Sequence, residues 1–344
     1  MSDSGTYVFA VAVCDQFDLT IDVGALPERF GSVRAIVVDG LVAFVSNYTG
    51  PAIEDVPQNE LTGHLLLHQK VIEDLMRDNS VLPVRLGTVL EDDDAIASLL
   101  RGSRDLLHTT WEHFRGVVEV DVAATWDIGE ILAQVGVDPE VSAAKSSAMT
   151  APVELRTEAV VGVGRLVEAK LDKRRGELEL KVLEHLRPYA NDMQLNSVVS
   201  DELVCNIAFL IDQSQVGHID EALHRLDAEL EGRCDFRRVG PLPPYSFATI
   251  HVGRIGREAI ESSLALLELS ANFDESAILD QYRMLALTRH PDVRRKDPNA
   301  ARDFENLTSA RATLLSVCRN HSDTSRLPDS AVLFASVERS IGRN

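Results

Sequence analysis

Runs of β-branched residues alternate with helical patterns along the first 122 residues, and this order constrains the fold more than any other feature of the chain. The dipeptide Asp39-Gly40 separates two of these runs and is typical of a two-residue β-hairpin turn. The resulting β–β–β–α–β–α–β order predicts an α+β sandwich with helices on one face of a largely antiparallel sheet. The predicted segments are strands over 7–13, 33–39, 41–48, 81–90 and 117–122, and helices over 61–79 and from Ile96 to Trp111.

The stretch VLPVRLGTVL (81–90) is an unusual strand candidate. Its even positions are mostly apolar, so they are expected on one strand face, because side chains alternate with period two. Pro83, Arg85 and Gly87 would then share the opposite face. Proline is confined to strand edges, strand starts and bulges, and glycine in a strand often marks a bulge or a close backbone approach. The stretch therefore fits either an edge strand with a solvated arginine or a strand that contacts a partner.

A helical middle follows, and then a unit that repeats the first in outline. GPLPPYSF (240–247) comes after a helix, as VLPVRLGTVL does, and its three prolines force an extended, partly non-hydrogen-bonded backbone. That geometry either exposes Leu242 or Tyr245 to a partner or turns a tight corner. The other elements expected here are a connector and linker over 129–150, one long helical stretch over 153–188 that is interrupted or bent near Gly162 and Gly164, a strand over 204–211 and a helix over 219–230.

The last part of the chain has helical patterns. Two helices joined by a proline-containing loop are expected to form an antiparallel hairpin. Helices are predicted over 259–269, 276–289 and 299–318, with His290-Pro291-Asp292 between the last two. The expected domains are an N-terminal α+β domain (1–126), a helical middle with a second α/β domain (127–252), and a C-terminal all-α hairpin with a tail (253–344).

Charge is distributed unevenly along the chain. Lys and Arg total 34 and Asp and Glu total 54, which gives a formal net charge of −20. Residues 251–344 hold 13 basic and 13 acidic residues, so the whole acidic excess lies in residues 1–250. A surface of that sign repels phosphate backbones, which argues against a nucleic-acid partner. The change near residue 250 also indicates a separate C-terminal unit.

The composition is that of an ordinary soluble globular protein, with 45% hydrophobic and 26% charged residues. No apolar run approaches the roughly 18 residues of a membrane-spanning helix, and the N-terminus has no signal-peptide pattern. The four cysteines lie far apart without CxxC pairing, as expected of buried cytosolic thiols. We therefore expect a cytoplasmic location and no membrane partner.

One residue pair suggests a metal, but no catalytic motif accompanies it. His64 and His68 have the i, i+4 spacing that lets two imidazoles bind one ion on a helical face. Leu65 replaces the glutamate that follows the first histidine in metalloproteases, and neither a GxSxG elbow nor a plausible cysteine–histidine–acid set is visible. We expect a binding protein without catalytic residues, metal or cofactor. A metal-dependent hydrolase stays the alternative.

Two motifs resemble the GvpL/GvpF family of gas vesicle proteins. LPVRLGT (82–88) resembles the LPVRFGT-like stretch of that family, and GPLPPYSF (240–247) resembles its GPWPPYSF-like ending. The resemblance covers about residues 5–252, with Leu86 and Leu242 where the family often has aromatic residues. It implies two α/β units, the first ferredoxin-like, in an accessory protein of gas vesicle assembly that is located at the vesicle.

This resemblance gives the two motifs a role. A very apolar shell subunit must be kept from aggregating before it polymerises, and an extended edge strand can receive it by strand addition. The implied partners are the shell protein and other gas vesicle accessory proteins, with this chain as a chaperone-like assembly factor or minor vesicle component. The residues expected to bind shell protein are Pro83, Arg85, Gly87, Gly240, Pro243, Pro244 and Tyr245.

The C-terminal helices resemble a J-domain. YRMLALTRHPDV (282–293), followed by AARDFENLTSARATLL (300–315), is similar to the J-domain segment whose His-Pro-Asp tripeptide recruits and stimulates a DnaK-type chaperone. The implied function of this segment is that of a co-chaperone that delivers clients. The docking residues that the resemblance implies are His290, Pro291 and Asp292.

Charge separates this segment from most J-domains, which usually have a basic face. Glu275 and Asp280 offset Arg283 and Arg289 here. A less basic face would dock more weakly to an acidic groove. The segment is therefore interpreted either as a working chaperone-recruiting module or as a remnant kept for its packing.

Overall fold

The chain forms two compact units, one containing residues 1–115 and 248–338 and the other residues 116–247 with Arg339. The computed structural model describes residues 4–14, 21, 23–24, 26–77, 79–295, 297–320 and 331–339. Among the helices in these ranges, none is both long enough and apolar enough to cross a bilayer.

The first unit begins with an antiparallel sheet and three helices. Its elements are β1 (Ser4–Val13), β2 (Arg34–Val38), β3 (Leu41–Thr49), a 3₁₀ turn (Ile53–Asp55), α1 (Gln58–Met76), β4 (Leu82–Pro83), β5 (Val89–Leu90), α2 (Asp93–Gly102) and α3 (Arg104–Phe114). The strand order is β2-β3-β1-β4, and β5 also pairs with β1. This is the order of a ferredoxin-like sheet, with α1 crossing over between β3 and β4.

The hairpin prediction is confirmed. Asp39 and Gly40 have φ values of 49° and 84°, as a type I′ turn requires, and Val38 pairs with Leu41 on either side. Every residue of β1 from Thr6 to Val13 is buried. A sheet covered on one face would expose alternate residues, so the expectation of helices on one face only was wrong for this strand.

The second unit contains a longer set of helices. Its elements are β6 (Val117–Thr125), α4 (Ile128–Gly136), α5 (Pro139–Thr150), α6 (Val153–Leu186), a 3₁₀ turn (Arg187–Tyr189), β7 (Asp192–Leu195), β8 (Leu203–Asp212), a 3₁₀ turn (Gln213–Gln215), α7 (Val216–Leu230) and β9 (Asp235–Leu242). The antiparallel strand order β7-β8-β6-β9 repeats the ferredoxin-like order of the first sheet. The long helix is confirmed, and it continues through Gly162 and Gly164 without a break.

β6 belongs to the second sheet. The expectation that a strand over 117–122 closes the first unit was wrong, because β6 is the strand between β8 and β9 and pairs antiparallel with both. The run VVEVDV indicates a strand, but its partners are chosen by contacts with residues 85 or more positions away. Local pattern carries no information about such a choice.

Helices α4 and α5 replace the connector and linker expected over 129–150. Asp127 accepts a hydrogen bond from the Glu130 N–H, and Asp138 accepts one from the Glu140 N–H. Pro139 follows Asp138 as the first helical residue. Both helix starts therefore carry the favoured capping chemistry, which outweighs the small polar residues that suggested a linker.

The predicted C-terminal helical hairpin is confirmed, and two strands accompany it. The elements are β10 (Thr249–Ile255), α8 (Arg257–Leu266), α9 (Glu275–Arg289), α10 (Ala300–Asn320) and β11 (Val332–Glu338). α8, α9 and α10 share one core that includes Ile260, Ile278, Leu307 and Leu314. β10 and β11 pair antiparallel. The C-terminal region therefore contains strands as well as helices, and the expectation that it is all-α was wrong.

The C-terminal region packs with the N-terminal strands and helices of the first unit. Ser103 donates a hydrogen bond to Asn320 Oδ1 at 2.8 Å and accepts one from the Ala335 N–H at 2.9 Å. A Cβ at Gly102 would lie 2.7 Å from Asn320 Cα, so the C-terminal ends of α2 and α10 are in close contact. This grouping differs from the three successive domains 1–126, 127–252 and 253–344. The division into these three domains stays a prediction.

Candidate functional site

The stretch 81–90 is a strand interrupted by a tight turn. Only two residues at each end are in strands, and Pro83 is buried while Arg85 is exposed. Gly87 has φ +84°, and a Cβ there would lie 2.1 Å from Ile53 Cγ2, so no side chain fits. The expectation that Pro83, Arg85 and Gly87 share one strand face was wrong, because the turn breaks the alternation between them.

The backbone of this turn is already paired. The Val84 N–H donates to Phe9 O, and the Arg85 N–H donates to Ile250 O, both at 2.9 Å. Ile250 belongs to β10, which therefore covers the outer side of the turn. An added strand would have to displace β10 before it could pair here. The geometry thus weighs against strand addition at this motif.

A buried chain of hydrogen bonds holds the turn in place. The Gly87 N–H donates to Tyr7 Oη at 3.1 Å, Tyr7 donates to His68 Nδ1 at 2.9 Å, and His68 Nε2 donates to Val84 O at 2.9 Å. Because a carbonyl only accepts, Nε2 carries a proton, and Nδ1 accepts the Tyr7 hydroxyl when the imidazole is neutral. Burial lowers the pKa of His68 to about 4 and raises the pKa of Tyr7.

His68 is thereby removed from metal binding. Both of its ring nitrogens are hydrogen-bonded, to Tyr7 and to Val84, so it has no lone pair to share with an ion beside His64. Within the described ranges, no group of three or more His, Cys, Asp and Glu side chains is placed to hold a metal ion. These contacts exclude a metal site shared by His64 and His68, which was the basis of the hydrolase alternative.

GPLPPYSF begins on an edge strand with an open side. Among the described residues, β9 pairs with β6 alone. The side chains of Asp235, Arg237 and Val239 are exposed along it. An edge strand whose outer backbone groups are unpaired can accept a further strand from another chain.

The rest of GPLPPYSF is a packed loop. Gly240 has φ +122°, and a Cβ there would lie 2.7 Å from Glu119 O, so glycine is required. Pro243 and Pro244 are buried, whereas Tyr245 is half-buried. The prolines therefore form the base of the loop, and Tyr245 is its partly accessible aromatic side chain.

A buried carboxyl group anchors this loop. Ser246 donates its backbone N–H and its hydroxyl to Glu119, each at 2.7 Å. Glu119 is only 2% exposed, and this burial raises its pKa to about 8. Burial also raises the pKa of Asp121, two residues along the same strand. Glu119 therefore favours its neutral, protonated form at neutral pH.

A groove lies between α7 and β9. Its volume is about 390 Å³, and Leu223 and Phe236 form its apolar part. The rest of its lining is polar and consists of Asp220, His224, Asp227, Asp235 and Arg238. Arg238 pairs with Asp220 at 3.2 Å, so this surface beside β9 offers apolar contact and a mixed, mainly acidic set of charges.

The two motifs are topologically equivalent. Each lies on the fourth strand of a ferredoxin-like sheet, β4 or β9, beside the first strand, β1 or β6. Each is tied by a buried polar side chain of that first strand, Tyr7 or Glu119. They differ at the outer edge, which β10 covers in the first unit and where the described residues of the second unit place no further strand.

The His-Pro-Asp segment forms the exposed loop between α9 and α10. The His290 ring packs edge-on against Phe304 with centroids 4.9 Å apart, and its Nδ1 accepts the Asp292 N–H at 3.2 Å. The Asp292 carboxylate is exposed. The loop is therefore shaped by His290 and presents Asp292 to solvent.

The fold of this chain is similar to that of gas vesicle proteins among solved structures. The crystal structure of the gas vesicle protein GvpF from Anabaena sp. PCC7120 matches with a TM-score of 0.59 at 22% identity, over 71% of this chain and 98% of that chain. The fold over that part of the chain is therefore similar to the fold of this GvpF structure.

Sequence comparison then gives the family. The family model for the gas vesicle synthesis protein GvpL/GvpF matches residues 5–249, and the chain belongs to this family. A DnaJ domain model matches residues 264–319. Gas vesicle protein F of Streptomyces sp. (strain CB03234) is 27% identical over 242 residues, or 70% of this chain and 98% of that protein. Gas vesicle protein F of Dolichospermum flosaquae is 26% identical over 190 residues, which are 54% of this chain and 77% of that protein.

Sequence reasoning missed the residues that anchor the motifs. Tyr7 and Glu119 lie in strands 75 and more positions from the loops they hold. For Glu119 the sequence does contain an indication. A carboxylate within the apolar run VVEVDV needs a hydrogen-bond partner when both faces of the strand are covered, because burying it unpaired is costly. For His68, the sequence shows only the i, i+4 spacing from His64.

Proposed function

We propose that the protein is a gas vesicle assembly factor that binds the apolar shell protein through β9 and the loop 243–247. Membership of the GvpL/GvpF family supports the gas vesicle role. The observation that carries the binding site is the open side of β9 beside a loop fixed by Glu119. A shell subunit pairing there would gain backbone hydrogen bonds and cover its own strand edge.

The predicted binding residues divide into two groups under this proposal. Gly240, Pro243 and Pro244 shape the loop, and Tyr245 contacts the shell protein together with Val239 on β9. Pro83, Arg85 and Gly87 shape the equivalent turn of the first unit, where β10 occupies the edge. A shell subunit would have to displace β10 before it could pair at this turn.

A charged residue on the open strand tests this proposal. Val239→Asp places a carboxylate on an exposed position of β9, whereas Val37→Asp does so on the edge strand β2, where the valine is similarly exposed (48% against 37%). We expect Val239→Asp to reduce capture of immobilised shell protein about tenfold, since a buried unpaired charge is costly at an interface. Val37→Asp should leave capture unchanged. Equal effects of the two substitutions would contradict the assignment to β9.

The DnaJ domain supports a second function, recruitment of a DnaK-type chaperone. The exposed His-Pro-Asp loop is the observation that favours it. In this role the protein would deliver shell subunits to the chaperone. We expect the full chain to stimulate chaperone ATP hydrolysis and His290→Gln to abolish that stimulation. Absence of stimulation by the unmodified protein would leave the segment as a structural element.

A further inference from the structure

The surface beside the His-Pro-Asp loop is apolar. Met284 and Leu287 are 59% and 77% exposed on α9, and Val293, just after the loop, is 66% exposed. Met284 and Leu287 are three positions apart, so they lie on the same side of the helix. Ile278 and Leu285 face the core instead. Leu287 lies one turn before His290, so apolar side chains flank the tripeptide on both sides.

Three of the arginines near the loop are matched by acids. Arg283 pairs with Asp280 at 3.0 Å, and Arg289 pairs with Glu268 at 2.5 Å. Arg294 lies 3.7 Å from Asp303. The whole matched segment 264–319 contains eight basic and eight acidic residues. Its surface therefore offers a partner little net positive charge.

We propose that this segment docks its DnaK-type chaperone through the apolar side chains of Met284, Leu287 and Val293, with Asp292 at the centre, and that the docking is largely independent of salt. The inference rests on the chaperone-recruiting function proposed above. The occupant is a chaperone surface with an apolar patch next to the groups that receive Asp292. Contacts between exposed charges weaken when salt screens them, whereas apolar burial does not weaken in that way.

Stimulated ATP hydrolysis measures this docking. The full chain is titrated into purified bacterial DnaK at low salt and at about 0.5 M salt, where the Debye length is only a few ångströms. Stimulation is expressed relative to the basal rate at the same salt. Leu66→Ser is the matched control, because Leu66 is a similarly exposed leucine (61%) on α1 of the same unit.

For the unmodified protein, we expect the concentration that gives half-maximal stimulation to rise less than threefold from low to high salt. For the double variant Met284→Ser/Leu287→Ser, we expect that concentration to be about tenfold higher than for the unmodified protein at either salt. Leu66→Ser should behave as the unmodified protein. Equal thermal unfolding of the variants shows that the fold is kept. Stimulation that is lost at high salt yet survives the double substitution would overturn apolar docking and leave recruitment standing. No stimulation by any form would instead remove the recruiting function, and apolar docking with it.

Discussion

His68 and Glu119 are the two buried titratable residues that hold the motifs, and burial keeps both of them uncharged near neutral pH. Desolvation disfavours a charged group, so it lowers the pKa of the imidazole and raises the pKa of the carboxyl. Both residues link a fourth-strand motif to another element of its own unit. The two anchors therefore respond to pH in opposite directions.

The His68 anchor is expected to fail in acid. The folded pKa is about 4 against 6.5 when unfolded, so the unfolded chain binds more protons between these values and stability falls as pH decreases from 6.5 to 4. The loss is on the order of 3 kcal/mol at its limit. His68→Gln keeps a donor for Val84 O and an acceptor for Tyr7 and should flatten this dependence in thermal unfolding at each pH. An unchanged acid response in His68→Gln would contradict the assignment.

The Glu119 anchor is expected to weaken in base. Its folded pKa of about 8 lies above the unfolded value of 4.5, so its contribution is complete below pH 4.5 and is lost as pH rises towards 8. Glu119→Gln is neutral at every pH and can still bond Ser246 through its amide. We expect this variant to unfold at a higher temperature than the unmodified protein at pH 8, and not at pH 5. A destabilised variant at pH 8 would contradict the account.

At the scale of elements, β9 depends on one glycine. Gly240→Ala places a Cβ 2.7 Å from Glu119 O on a backbone with φ +122°, so we expect a loss of about 2 kcal/mol or more in the free energy of unfolding. Gly176→Ala is the control, because that glycine lies within α6 with open space around it. It should gain about 0.5–1 kcal/mol. Denaturant unfolding measures both, and a neutral Gly240→Ala would show that the loop is not rigidly held.

Local signals explain which elements could be predicted. The Asp39-Gly40 hairpin, α6 and the three C-terminal helices follow from turn dipeptides and helical periodicity, which act within a few residues. The continuous strand over 81–90 failed because Gly87 adopts positive φ in a turn that period-two alternation does not reveal. Helices α4 and α5 differ from the expected connector and linker because capping by Asp127 and Asp138 favours a helix where the small polar residues favour a loop.

At the scale of the whole molecule, the family could be predicted and the grouping of its parts could not. Two short motifs at matching ends of the chain, 82–88 and 240–247, were enough for the GvpL/GvpF resemblance. The assignment of β6 to the second sheet, and of residues 248–338 to the first unit, depends on contacts between distant residues. The change in charge near residue 250 is a change in composition, and composition does not determine which elements the C-terminal region packs against.

The junction around Ser103 is expected to couple the C-terminal region to the rest of the first unit. Ser103→Ala removes a donor to Asn320 and an acceptor for the Ala335 N–H at a buried position, at a cost of about 1–3 kcal/mol. Because residues 1–115 and 248–338 belong to one unit, we expect them to unfold together in a single calorimetric transition. A separate transition for the C-terminal region, unaffected by Ser103→Ala, would support its independent folding instead.

Hydrogen exchange of the backbone amides, followed by mass spectrometry with and without shell protein, tests the central claim most directly. Strand addition would slow exchange within 235–242 on β9 and leave 34–38 on the edge strand β2 unchanged, because new backbone hydrogen bonds form only at the occupied edge. Protection of 235–242 and of the adjoining loop is the predicted result. Protection confined to 81–90, or to neither motif, would contradict it.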